Sequence, residues 1–203
     1  MTRPDISHAV RSVAGHWHDP CSRHWGAVMQ ILAYLKGTRD KGLTFSRNSD
    51  RAPTAFADAS FALSRDLRKS VSGGLVMYGG AAVGWYSRRQ RCVATSSAEA
   101  EYVALSECTN VLISVILVWD CLPPHSRTTP VKVFEDNTAA MHWADNAQSA
   151  KKTRHIDVAH HYVLDLIDNG TIEVLHVALC DQHAEFFRKY LGRGLSEGHR
   201  NFL

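Results

Sequence analysis

Hydrophobic and polar positions along this chain follow two periods, and each predicts a different kind of element. The longest helical pattern runs from Ala94 to Trp119. Glu101, Leu105, Cys108, Leu112, Val115 and Trp119 recur at steps of three and four, which is one apolar helix face headed by a carboxylate. Ser96 and Ser97 can cap its start, and no Gly or Pro interrupts it. The stripe Glu99, Val103, Ser106, Asn110, Ser114 is mostly polar. Glu99 is therefore expected on the outer face, closing a capping box with Ser96, and Glu101 on the inner face.

The remaining elements follow from the same reading. Short apolar runs bounded by turn residues predict strands at Ala55–Ala59, Gly73–Tyr78, Val83–Tyr86, Val131–Phe134 and Ile172–Val177. The first three have short connections and should form an antiparallel meander. Helices are expected at Thr138–Ala144, Ile156–Ile167 and Asp181–Leu191. The order β β β α β α α β α predicts an α/β fold, a mixed sheet flanked by helices with right-handed crossovers. Residues 1–45 read as a small separate helical segment. One short helix opens at Pro4-Asp5. A second starts at Asp19-Pro20, carries Trp25, Val28, Ile31, Leu32 and Leu35, and stops at Lys36 with Gly37 as C-cap. Gly42–Phe45 is a candidate short strand. Residues 46–53 are polar and turn-rich, a linker; 54–192 form the main domain and 193–203 a tail.

Composition adds limits. The chain has 203 residues, 45% of them hydrophobic, enough for one good core. No apolar run approaches the ~20 residues of a membrane span, and the N-terminus has no signal-peptide core. Five cysteines with no CxxC pair predict reduced thiols in an intracellular protein, cytoplasmic or nuclear. The net charge of +3 is small, but the basic residues cluster. Arg65, Arg68, Lys69, Arg88, Arg89 and Arg91 lie in one region, and Lys151, Lys152, Arg154 and His155 in another. Basic clusters beside candidate acids favour a nucleic-acid backbone as ligand over a merely solvated loop.

The acids supply the chemistry. Asp58 lies at the middle or end of the first strand, Glu101 in the first turns of the long helix, and Asp136 just after the fourth strand. If the first and fourth strands are neighbours, these three converge where sites gather in open sheets. Converging carboxylates repel, so the set implies a divalent cation. An all-oxygen set favours Mg²⁺ or Mn²⁺ over Zn²⁺. Two such ions about 4 Å apart can drive phosphodiester hydrolysis. A fourth acid should come from the last helix, where Asp181 and Glu185 are available.

Seven motifs in order carry a family resemblance: Phe56-Ala-Asp-Ala-Ser60, Arg68-Lys-Ser-Val-Ser-Gly73, Gly84-Trp-Tyr-Ser-Arg-Arg-Gln90, Ser96-Ser-Ala-Glu-Ala-Glu-Tyr-Val-Ala-Leu105, Glu135-Asp-Asn137, Thr153-Arg-His-Ile-Asp157 and Asp181-Gln-His-Ala-Glu185. With them, residues 54–192 resemble the ribonuclease H domain of copia-type LTR retrotransposon Pol polyproteins. Residues 2–43 resemble the end of the preceding reverse transcriptase, without the polymerase's Asp-Asp signature. The resemblance implies a five-stranded ribonuclease H sheet, three strands antiparallel and two parallel. It also implies a metal site of Asp58, Glu101, Asp136 and Glu185, the last standing where an aspartate is usual. The implied activity is two-metal hydrolysis of the RNA strand of RNA–DNA hybrids. The reverse transcriptase domain of the same polyprotein is the further partner implied. Expected nucleic-acid contacts are Arg68, Lys69, Ser70, Ser72, Arg88, Arg89, Arg91, Lys152 and Arg154. Trp85, Tyr86 and Trp119 are expected in the core. A zinc site at His155, His160, His161 and Cys180 fits no standard spacing. A different class stays open beside the nuclease: an inactive fragment that only binds nucleic acid or packs against a reverse transcriptase.

Overall fold

Five strands form one mixed sheet in the order β3-β2-β1-β4-β5. The strands are β1 (Thr54–Ser60), β2 (Val71–Tyr78), β3 (Ala81–Arg89), β4 (Val131–Glu135) and β5 (Ile172–His176). β1, β2 and β3 pair antiparallel, as the short connections require, while β4 lies parallel to both β1 and β5. This is a computed structural model, and it describes residues 2–49, 52–62, 68–122, 130–145 and 154–189.

Helices α3 (Ser97–Asp120), α4 (Thr138–Asp145) and α5 (Arg154–Asp168) cover one side of the sheet. By length and hydropathy alone α3 would suffice to cross a membrane. Here its inner stripe packs on the sheet instead: Leu105, Cys108 and Leu112 are fully buried with Ala55, Ala57, Val76 and Val133. Burying a Leu side chain this way stabilises the fold by about 1.5–3 kcal/mol. On the opposite side, α1 (Ser7–Ala14) and the short α6 (Glu185–Arg188) pack against the meander, with Phe56, Leu75, Met77 and Phe187 forming a second core. As expected, Trp85, Tyr86 and Trp119 pack against these two cores.

Two glycines let the layers approach. An ideal Cβ on Gly73 would stand 2.7 Å from the Ala184 carbonyl oxygen, so α6 can sit directly on β2. A Cβ on Gly74 would stand 2.2 Å from the ring of Tyr86, whose hydroxyl crosses to donate to the Ala104 carbonyl of α3 at 3.1 Å. Gly74→Ala is expected to cost about 1–3 kcal/mol through overpacking. Urea denaturation should read this, and a loss below roughly 0.5 kcal/mol would contradict the packing.

Several element boundaries differ from the sequence expectation. α2 covers Ser22–Gly37 and starts at a Cys21 cap, where the Cys21 N–H donates to His24 Nδ1, and not at Asp19-Pro20. Gly37 stays helical, and Thr38 ends the helix by donating its hydroxyl to the Tyr34 carbonyl. Residues 42–45 form no strand, because no neighbouring strand pairs with them, and Phe45 is exposed. β3 extends to Arg89, which puts Arg88 and Arg89 on a strand rather than in the loop before α3. Among the described residues the last helix covers only Glu185–Arg188, preceded by a 3-10 turn at Leu179–Asp181, and the expected end at Leu191 lies outside them. The break has a cause: Gln182 is wholly buried, its amide donating to the Ala57 carbonyl at 2.8 Å and its oxygen accepting from the Ala184 N–H.

The N-terminal segment makes direct contact with the sheet layer. His8 Nδ1 lies 3.3 Å from the Phe187 carbonyl, and Arg11 donates to the Ser87 hydroxyl at 3.0 Å. α2, by contrast, has no buried residue and exposes Trp25, Met29 and Leu32.

Candidate metal centre

The parallel pairing of β1 and β4 ends at Phe56 opposite Phe134, whose rings stack at 4.9 Å. Asp58 and Asp136 each follow two residues later, so the register sets them level at the mouth where the two strands part. Glu101 enters from the second turn of α3 and accepts a short hydrogen bond from the Ala59 N–H. One ligand oxygen from each of Asp58, Glu101 and Asp136 lies within 4.8 Å of the others.

Local capping explains why Asp136 and Glu101 are left for this role. Asn137 caps α4, accepting from the Ala139 and Ala140 N–H groups at 2.9 and 3.1 Å, which leaves Asp136 to face the site. At the start of α3, Ser96 accepts from the Glu99 N–H at 3.1 Å, as the capping motif predicts. Glu99 itself is buried, and not on an outer face. It accepts from the backbone and hydroxyl of Thr95, because the loop containing Gln90, Arg91, Cys92 and Ala94 folds over that stripe. The two glutamates therefore differ by partner rather than by exposure.

The electrostatics follow from crowding charge in a dry place. Burial, then Asp58 and Asp136, raises the Glu101 carboxyl to about 9. Burial raises Asp58 to about 7, with Asp136 and Glu185 adding to the rise and Arg188 opposing it. Asp136 is raised by burial too. Asp58 is wholly buried, and among the described residues its Oδ1 has no hydrogen-bond partner. An unsatisfied buried carboxylate oxygen beside two further acids is costly without a cation. The three residues therefore fit a hard divalent ion.

Glu185 does not join that cluster. Expected as the fourth ligand, it is buried and ion-paired with Lys189 and, at 3.5 Å, with Arg188. Two further residues escaped the sequence reading. Arg188 reaches across from α6 to pair through Nε with Asp58 Oδ2. Glu135 is fully buried beside the cluster, its carboxyl raised well above the usual range by burial and by Glu101 and Asp136. Glu135 was visible within the Glu135-Asp-Asn motif, and Gly73-Gly74 inside a strand signals close approach there. Nothing in the sequence pattern points Arg188 inward.

The expected nucleic-acid contacts divide. Arg68, Arg88, Arg89 and Arg91 are exposed. Arg88 and Arg89 alternate on the edge strand, Arg88 with its guanidinium 5.4 Å from the Tyr86 ring centre. Lys69 is half-buried. Ser70 and Ser72 are wholly buried and bonded internally, correcting their expected surface role: Ser70 accepts from the Ala62 N–H and Ser72 from the Gln90 amide. Lys152 and the side chain of Arg154 lie outside the described residues, as do those of His155 and His160 in the zinc alternative.

Sheet order and an acid cluster at the β1–β4 mouth define a ribonuclease H-like α/β protein. The chain is 35% identical over 196 residues to the retrovirus-related Pol polyprotein from transposon TNT 1-94 of Nicotiana tabacum, covering 97% of this chain. It is thus similar over nearly its whole length to retrovirus-related Pol polyproteins of plant transposons, and spans only 13–14% of the length of those it matches. It is also 42% identical over 109 residues to secreted RxLR effector protein 161 of Plasmopara viticola, covering 54% of this chain and 77% of that protein. Among solved structures, the N-terminal RNase H domain of a Mycobacterium tuberculosis protein aligns at 11% identity and a TM-score of 0.49, over 75% of this chain and 98% of that one. No protein-family model matches the chain.

Proposed function

We propose that this chain is a divalent-metal-dependent endonuclease that hydrolyses the RNA strand of RNA–DNA hybrids in retrotransposon reverse transcription. The observation carrying the reading is the convergence of Asp58, Glu101 and Asp136 where β1 and β4 part. These three would hold Mg²⁺, or Mn²⁺ in its place. When bound, the ion supplies Lewis acidity, making water a nucleophile at neutral pH and stabilising charge on the leaving 3′ oxygen. The protein's own contribution is rigid placement. Ala59 N–H orients Glu101, Asn137 frees Asp136, and the dry sheet end keeps the carboxylates from being satisfied by solvent. The exposed Arg88, Arg89 and Arg91 suit phosphate contact, which positions a duplex without reading its sequence. The reverse transcriptase domain of the same polyprotein is the natural supplier of the hybrid.

A labelled RNA–DNA hybrid incubated with Mg²⁺ tests this. Cleavage of the RNA strand to 3′-hydroxyl ends is expected, suppressed by EDTA and reduced roughly a hundredfold or more by Asp136→Asn. Absence of cleavage by the native protein, or equal cleavage by the variant, sinks the proposal. One observation favours a second reading, a fragment that binds nucleic acid without cutting it: Arg188 already holds Asp58. Hybrid binding without cleavage is its signature.

A further inference from the structure

Arg188 is the feature of the centre that the proposed hydrolysis leaves unexplained. A guanidinium on a four-residue helix reaches into a carboxylate cluster and is largely buried there, with 16% of its side chain exposed. It pairs with Asp58 through Nε and approaches Glu185 through a terminal nitrogen at 3.5 Å. Lys189 closes on the same Glu185 oxygen. The acid that would complete a second ion site therefore faces two cations of the chain itself, and it is missing from the cluster of ligand oxygens within 4.8 Å.

We infer that Arg188 occupies the place of the second divalent ion, so that the centre takes one ion between Asp58, Glu101 and Asp136 and uses the guanidinium as a fixed cation bridging Asp58 and Glu185. This rests on the metal-centre reading above. Geometry agrees with it. Gly73 lets Ala184 press on β2, which brings the next turn of α6, and with it Arg188, over Asp58. Arginine suits the task because it stays charged and its planar fork matches two carboxylates at once. Arg188 is a positioning residue for the metal-ligating acids, since it acts on them and not on the reacting atoms.

Mn²⁺ binding by the full chain, followed by the electron paramagnetic resonance signal of free Mn²⁺, tests the inference without any activity assay. The native protein is expected to bind one Mn²⁺ per chain. Arg188→Gln removes the cation and should admit a second Mn²⁺, or tighten the first at least tenfold. Arg188→Lys keeps a cation and should remain at one. Two ions of similar affinity on the native protein, no change in Arg188→Gln, or a second ion on Arg188→Lys would each overturn the inference and leave the metal-centre reading standing. No Mn²⁺ on the native protein would instead overturn the metal-centre reading itself. If Arg188→Gln fails to fold by circular dichroism, the native and Arg188→Lys stoichiometries still decide.

Discussion

Glu101→Gln is expected to lower hybrid cleavage about a thousandfold while leaving the metal-free protein as stable as before, or more so. The reason is the balance of two costs at one side chain. Glu101 is buried, and its carboxyl is raised to about 9 by burial and then by Asp58 and Asp136. Without metal the group is therefore neutral at pH 7, and a neutral amide of similar size replaces it with little penalty. The glutamine oxygen can still accept from the Ala59 N–H, so the start of α3 keeps its tie to β1. Cleavage is different, because a neutral amide is a poor ligand for a hard cation. Losing several kcal/mol of charge stabilisation corresponds to about three powers of ten in rate. Glu99→Ala provides the contrast. Its partners are the backbone and hydroxyl of Thr95, so the expected loss is about 1 kcal/mol of capping with cleavage largely retained. Single-turnover cleavage and thermal melts of the two variants, measured side by side, check both halves. Equal loss of cleavage in both would place the metal ligand wrongly.

Without metal, the protein should lose stability as pH rises from about 5 to 9, and Mg²⁺ should reverse the trend. Glu101 is raised from 4.5 to about 9 and Asp58 from 3.8 to about 7. The native state therefore binds more protons than the unfolded chain across that window, and stability falls with increasing pH. The contribution is complete below pH 4, where both states are protonated at these sites. It is lost as the pH passes through 7 and then 9. After discounting for the coupling of the acids, a loss of about 1–3 kcal/mol is reasonable. A divalent ion binds the ionised carboxylates of the native state only, so it adds stability mainly above pH 7 and releases protons on binding. Thermal melts across pH with EDTA or Mg²⁺ give the comparison, and Glu101→Gln should flatten the metal-free slope. A metal-free melting temperature that rises steadily to pH 9, with no smaller slope in the variant, would show that these acids are not held protonated.

Much of the site was legible because it depends on local rules. Asp58 ends an apolar run, Asp136 follows one, and Glu101 heads the apolar stripe of a helix, so alternation and helical spacing single them out. The errors arose where a second layer covers a residue. Glu99 reads as an outer position by helix period alone, yet the loop through Arg91 and Cys92 buries it. Ser70 and Ser72 read as surface hydroxyls beside basic residues, yet they are spent on Ala62 and Gln90. The last helix reads as three turns, yet the Gln182 side chain leaves it to satisfy the Ala57 carbonyl, which is unpaired once β1 and β4 separate.

Periodicity, caps and strand ends are properties of neighbours in sequence, so the chain by itself determined the five strands, the long helix with its Ser96 cap, and three of the acids. Charge balance is a property of neighbours in space. Only the tertiary structure decided that Glu185 is buried, that Glu135 is sealed beneath the cluster, and that a guanidinium from α6 rests on Asp58. Those contacts join residues as much as 130 positions apart. They form because a strand without side-chain bulk at Gly73 lets one layer close on another, which no local pattern can report.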